Sequence, residues 1–207
     1  MRKLTVNTFL SLDGVMQAPG TPKEDGEGGF SHGGWSVNYW DDRMGGLMGD
    51  FMAEPFDLVL GRRTYDIFAA HWPHTSEELG SGPLNNAVKY VASRGKPVLS
   101  WEKSVLLVGE AAASVAELKQ GDGPDLQVHG SGDLLQTLIG ADLIDEYRLW
   151  IFPVLLGPGK RLFAGGTVPA GLRLIDSTVS TTGVVISTYA SAGKIVPGSF
   201  ELDPIEN

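Results

Sequence analysis

The stretch Val128-His129-Gly130-Ser131-Gly132-Asp133-Leu134-Leu135 restricts the architecture more than any other. Leu126 and Val128 alternate with polar neighbours, as in a short strand, and Leu134, Leu135, Leu138 and Ile139 then recur at helical spacing. Two glycines at the joint permit a tight turn and close approach of a ligand, because neither carries a Cβ. The N–H groups that open the helix, together with its dipole, form a site for an anion such as a pyrophosphate. A purely structural turn uses the same residues, so this stretch alone leaves both readings open.

Similar junctions occur earlier. Asp57-Leu58-Val59-Leu60 reads as a buried strand that runs directly into Gly61-Arg62-Arg63-Thr64-Tyr65. Thr64 is placed to cap the helix that follows, which Pro73 ends. Lys89-Tyr90-Val91-Ala92 is a short strand finishing at Ser93-Arg94-Gly95, and residues 2–10 alternate as a strand finishing at Ser11-Leu12-Asp13-Gly14. Met44, Leu47, Met48, Phe51 and Met52 predict an amphipathic helix stopped by Pro55. A strand at Val105-Leu106-Leu107 precedes a helix from Ala111 to Lys119, closed by Gly121. Residues 147–152 read as a strand buried on both faces, 153–160 as turns, and 172–179 with 184–190 as a hairpin around Thr182-Gly183.

Two segments fit no element. Residues 74–83 read as a polar loop. Residues 17–34 are too rich in Gly and Pro to be core, and read either as a mobile flap beside a site or as a surface insertion. Trp35, Tyr39 and Trp40 follow, placed to cover a planar ligand or to pin the flap.

This order predicts an α/β fold in a single domain over 1–207, with a polar tail after about residue 193. A mostly parallel sheet carries helices on both faces and an antiparallel C-terminal hairpin. Ligands of such sheets bind beyond the C-terminal ends of the strands. The turns at 11–14, 61–64, 93–94 and 130–132 all belong there. With 25 acidic against 16 basic residues the net charge is -9, which argues against nucleic acid or an anionic membrane as partner. Local arginines are the more informative for it. The absence of cysteine excludes disulfides, thiolate nucleophiles and Cys-ligated zinc. His71 and His74 flank Pro73 and share no helix face, so no metal site is expected. No apolar run of signal-peptide or membrane-span length occurs, and the expected location is cytoplasmic.

The familiar nucleotide fingerprints are incomplete. Gly130 to Leu135 lacks the third glycine of GxGxxG, and Gly157-Pro158-Gly159-Lys160-Arg161 lacks the spacing and Ser/Thr of a P-loop. The junctions at 61–65, 89–94 and 130–134 nevertheless stand in the order seen in dihydrofolate reductase-like proteins. Ser11-Leu12-Asp13-Gly14, Leu143-Ile144-Asp145-Glu146 and the run from Pro153 to Phe163 look like the reductase domain of bacterial riboflavin biosynthesis. His71-Trp72-Pro73 and the run from Gly183 to Tyr189 look like its stand-alone relatives. The resemblance spans roughly residues 1–193.

It implies a dihydrofolate reductase-like three-layer α/β/α sandwich, NADPH as cofactor, a small-molecule substrate and a homodimer. Carried over, Gly61, Arg62, Arg63 and Thr64 would hold the adenosine-side phosphates, and Ser93 and Arg94 the 2′-phosphate. Gly130, Ser131, Gly132, Asp133 and Leu134 would cradle the pyrophosphate, with the Asp133 side chain turned away. Leu12, Asp13 and Gly14 would lie by the nicotinamide. Asp13 is the candidate catalytic group, although an Asx-type turn explains it equally. Asp41 and Asp42 are candidate substrate contacts. Trp40-Asp41-Asp42-Arg43 departs from the pterin-binding pattern of dihydrofolate reductases, and the zinc deaminase domain of the bifunctional riboflavin enzymes has no counterpart here. The expectation is an NADPH-dependent oxidoreductase transferring a hydride to a C=O or C=N of a small polar substrate, heterocycles included, as in 5-amino-6-(5-phosphoribosylamino)uracil reductase. A non-catalytic NADPH-binding module and a true dihydrofolate reductase remain the alternatives.

Overall fold

The computed structural model describes residues 1–164 and 167–200; residues 201–207 of the expected tail lie outside them. Strand β1 (Leu4–Ser11) leads through the long 12–41 connection to α1 (Asp42–Phe51). Strand β2 (Phe56–Gly61) runs without a break into α2 (Arg62–His71), followed by the short α3 (Ser81–Asn86). Next come β3 (Lys89–Ala92), β4 (Ser104–Leu106), α4 (Ala111–Gln120), β5 (Asp125–His129) and α5 (Gly132–Gly140). Strands β6 (Glu146–Phe152), β7 (Leu172–Val179) and β8 (Val185–Ser191) complete the order.

All eight strands join one sheet in the order β4-β3-β2-β5-β1-β6-β8-β7. The first six positions are parallel, while β8 runs antiparallel to β6 and β7 antiparallel to β8. Because β1, β2, β3 and β5 point the same way, the turns that follow them leave one edge of the sheet.

Alternation along each strand divides the core. Leu4, Val6, Leu126 and Val128 pack with Val115 of α4 and Leu135 and Leu138 of α5 on one face. On the other face Leu58, Leu60 and Val91 pack with Tyr65 of α2 and Leu84 of α3, and Trp150, Phe152 and Ile186 pack beneath Met44 of α1. Trp150 is fully buried, as expected of a strand covered on both faces.

Three local expectations change. Helix α3 forms within and beyond the stretch read as a polar loop, because Leu84 enters the core and Asn85 accepts from Trp101 Nε1 at 2.9 Å. Thr64 does not cap α2: the cap is Gly61, without a side-chain bond, and Thr64 already lies in the first turn. The 17–34 stretch is not wholly outside the core, since Gln17 and Ala18 are each 4% exposed. Gln17 Nε2 donates to the carbonyls of Asp25 and Glu27 and its Oε1 accepts from Lys160 N, which folds the loop around one buried amide. Among the described residues no helix is long and apolar enough to cross a membrane.

Candidate active site

The turns after β2, β3, β4 and β5 open onto a single cleft of about 2620 Å³. A drug-sized ligand needs roughly 300–1,000 Å³, so a dinucleotide and a second molecule can occupy it together. Gly61, Arg62, Arg63 and Thr64 line it, as do Ser93 and Arg94 and the run from Gly130 through Leu134. Three junctions far apart in the chain therefore meet on one rim.

Two of them are bolted together. Gly130 (φ 57°) and Ser131 (φ 61°, ψ 48°) are both left-handed, a conformation that costs a serine on the order of 1 kcal/mol. Hydrogen bonds hold it there. Ser131 N–H donates to Thr64 Oγ1 at 3.0 Å, Gly61 N–H to Ser131 Oγ at 2.9 Å, and Ser131 Oγ to the His129 carbonyl at 3.1 Å. A Cβ on Gly130 would stand 3.3 Å from Thr64 Oγ1 in a left-handed backbone, so the close approach favours glycine. Thr64 thus orders a neighbouring turn rather than its own helix, and Ser131 N–H is already satisfied. The first ladder bond of α5 runs from Leu135 N–H to the Ser131 carbonyl. The amides of Gly132, Asp133 and Leu134 precede that bond and form the helix end available to an anion. Asp133 is exposed and Leu134 buried.

The arginines differ. Arg62 is held by Asp66 at 2.7 Å, one turn along α2. Arg63 pairs with Glu27 and, at 3.6 Å, with Asp25; Lys160 reaches Asp25 at 2.5 Å and Glu27 at 2.6 Å. The flap is thereby latched to α2 and to the 153–163 connection across the cleft. Arg94 is exposed and, among the described residues, has no carboxylate partner.

The remaining candidates stand elsewhere. Leu12, Asp13 and Gly14 do not line the cleft. Asp13 instead accepts from Ser11 Oγ at 2.6 Å and from the amides of Leu156 (3.1 Å) and Gly157 (2.8 Å), with Arg161 at 3.5 Å. The serine first, then the two amides, pull its carboxyl down to about 2, so it is a permanently ionised anchor of the 153–160 turns and unsuited to proton transfer. Asp41 caps α1, accepting from Met44 N at 2.8 Å, and also binds the Thr181 amide (2.7 Å) and hydroxyl (2.6 Å). Neither Asp41 nor Asp42 lines the cleft, which removes the reason for reading them as substrate contacts.

Other lining residues went unread in the sequence. The N-terminus of α4, at Gly109, Glu110 and Ala111, gives the cleft a third helix end beside those of α2 and α5. On the opposite side Trp40, which the sequence placed to cover a ligand or pin the flap, stands before a wall of Gly45, Met48 and Gly49 along α1, with Asn7 midway along β1 and His129 at the end of β5. Asn7 is only 3% exposed and alternates with apolar residues on a buried strand, a pattern that marks a polar site beneath a helix. Glu24 of the flap also lines the cleft; burial, ahead of any other influence, raises its carboxyl pKa.

A parallel sheet whose strand ends deliver three helix N-termini to one cleft defines a reductase-like α/β protein. The chain belongs to the RibD C-terminal domain family, whose model matches residues 2–186. It is 27% identical over 193 residues to YyaP of Bacillus subtilis (strain 168), covering 91% of this chain and 94% of that one. Among solved structures, a Shewanella sp. PV-4 protein provisionally assigned to riboflavin biosynthesis superposes with TM-score 0.68 at 22% identity, covering 92% of this chain and 99% of its own. Dihydrofolate reductase from Enterococcus faecalis, complexed with NADP(H) and RAB-propyl, superposes with TM-score 0.56 at 15% identity, covering 92% of this chain and 96% of its own. These likenesses establish the dihydrofolate reductase-like fold.

Proposed function

We propose that the chain is an NADPH-dependent reductase acting on a C=O or C=N of a small polar substrate, in the manner of 5-amino-6-(5-phosphoribosylamino)uracil reductase. The observation that carries this reading is the convergence, on one rim of a cleft large enough for a dinucleotide, of three helix N-termini and of Arg94, which has no carboxylate partner among the described residues. The cradle suits that cofactor, since a Cβ at the left-handed Gly130 would crowd Thr64 and the following amides precede the α5 ladder. In this assignment Gly132, Asp133 and Leu134 amides hold the pyrophosphate. Ser93 and Arg94 take the 2′-phosphate, because a planar multi-donor cation with a hydroxyl beside it matches a terminal phosphate. Arg62, Arg63 and Thr64 close the adenosine side. When bound, NADPH supplies the hydride, while the protein contributes positioning and electrostatics. Trp40 and the α1 wall face the space left for the acceptor.

Because Trp40 and Trp72 both line the cleft, NADPH binding is expected to quench tryptophan fluorescence. Loss of nicotinamide absorbance across pterin, pyrimidine and quinone acceptors then separates a reductase from a non-catalytic NADPH-binding module. Binding without turnover of any acceptor favours the module; no binding at all ends the proposal. A homodimer forms part of the same reading, with the outer face of β7 as its contact: Leu172, Leu174 and Ile175 there are 41%, 52% and 47% exposed.

A further inference from the structure

His129 ends β5 immediately before the Gly130 joint, with its side chain on the sheet face beneath α1 and α2. Its ring centroid lies 6.3 Å from that of Phe68 of α2, and it pairs in register with Asn7 of β1. A chain of hydrogen bonds assigns its tautomer. Gln127 Nε2 donates to the Phe51 carbonyl at 3.2 Å, so the amide oxygen of Gln127 is the group facing His129 Nε2 at 2.9 Å. That oxygen can only accept, and Nε2 therefore carries the proton. Burial, and next the Arg148 guanidinium, hold the imidazole down at about 4, so the ring is neutral at pH 7 and Nδ1 keeps a bare lone pair. Arg148 stands on the same face, its guanidinium 4.5 Å over the Phe51 ring.

Nδ1 has no partner among the described residues, and no buried side-chain nitrogen or oxygen among them is left without one. The ring is only partly buried, and the space that His129 borders is the cleft. Beside Asn7, apolar groups and bare backbone bound that space. Gly45 and Gly49 lie one turn apart on α1 and line the cleft without side chains, and a Cβ on Gly49 would meet nothing within 4 Å. Met48 and Phe68 border the same region.

We propose that His129 is a specificity-determining residue for the acceptor: its Nδ1 accepts a hydrogen bond from an N–H or O–H of a neutral, planar heterocycle lying against the glycine wall of α1. This rests on the reductase reading, and it narrows the acceptor to rings that carry a donor. A ring without one leaves the lone pair desolvated and unpaired, a loss of about tenfold in affinity.

The test uses full-length protein labelled with ¹⁵N-histidine and saturated with NADP⁺, which permits no turnover. Uracil and 2,4-diaminopyrimidine serve as donor-bearing probes, and 1,3-dimethyluracil as the ring without a donor. The first two are expected to move the His129 Nδ1 resonance toward that of a hydrogen-bonded nitrogen, and the third to leave it in place. His129→Phe should weaken uracil about tenfold with NADP⁺ affinity unchanged, while His129→Asn, which keeps a polar atom near Nδ1, should restore part of the loss. An Nδ1 shift that is the same for all three probes, or absent for both donors, overturns the assignment. So does uracil affinity unaltered in His129→Phe. If that variant does not fold, the resonance in the unmodified protein still decides. Failure of NADP⁺ to bind counts against the reductase reading instead, and the probe titration without cofactor then judges His129 separately.

Discussion

Arg94 differs from Arg62 and Arg63 in having, among the described residues, no carboxylate to hold. Arg62 and Arg63 must leave Asp66 and Glu27 before they can meet a ligand, whereas Arg94 has no such contact to give up. Arg94→Ala is therefore expected to weaken NADPH by about ten- to a hundredfold and NADH much less, as measured by fluorescence titration. Equal weakening of the two cofactors would remove the 2′-phosphate from this residue. At the same scale, His129 imposes a pH dependence on folding. Its imidazole binds a proton at about 4 in the native protein against an ordinary value near 6.5, so between those values the unfolded chain holds more protons. Stability accordingly rises with pH across that window and is lost as pH falls through it, by up to about 3 kcal/mol. Urea unfolding at pH 7 and pH 4.5 reads the difference, and His129→Asn should flatten it. Asp13 cannot produce the same slope: its lowered carboxyl contributes stability that is complete above about 3.8 and disappears only toward 2.

The flap is the element whose behaviour the charges decide. Asp25 and Glu27 occupy Arg63 and Lys160, two cations that line the cleft. An incoming phosphate competes with these carboxylates for the same groups. Replacing both acids, Asp25→Asn with Glu27→Gln, is expected to tighten NADPH a few-fold at low ionic strength and to steepen its salt dependence. Folding should change by about 1 kcal/mol at most, because each of these ion pairs has at least one partner well open to solvent, although Asp25 itself is largely covered. Unchanged NADPH affinity and salt response in the double variant would show that the latch and the cofactor do not share cations. The buried amide of Gln17, bonded to both arms of the loop, gives the flap a fixed base even when the latch is released.

For the molecule as a whole, the hairpin edge is the open question that chemistry can answer. Strand β7 is the last in the sheet and, among the described residues, no strand pairs with its outer side, so its backbone groups and apolar side chains are both available for pairing. Leu174→Glu is expected to convert a dimer into a monomer in sedimentation velocity runs, with the fold and NADPH binding retained. A dimer that persists in this variant places the contact elsewhere, and a monomeric unmodified protein dismisses the homodimer.

The order and type of almost every element can be read from the chain, because the two periodicities, about 2 for strands and 3.6 for helices, are written in neighbouring residues. So can the three junctions that line the cleft, since glycine beside a strand end has a local cause. Side-chain roles behaved differently. Thr64 looks like a cap until Ser131, 67 positions away, arrives to donate to it. Asp13 looks like a free carboxylate until Gly157, 144 positions away, donates its amide. Asp41 takes Thr181 from 140 positions away. The glycine wall of α1 and the tautomer of His129 emerge only when β5, β1 and α1 are stacked. A hydrogen bond or an ion pair depends on which distant atoms the packing brings within about 3 Å, and that proximity has no trace in local sequence.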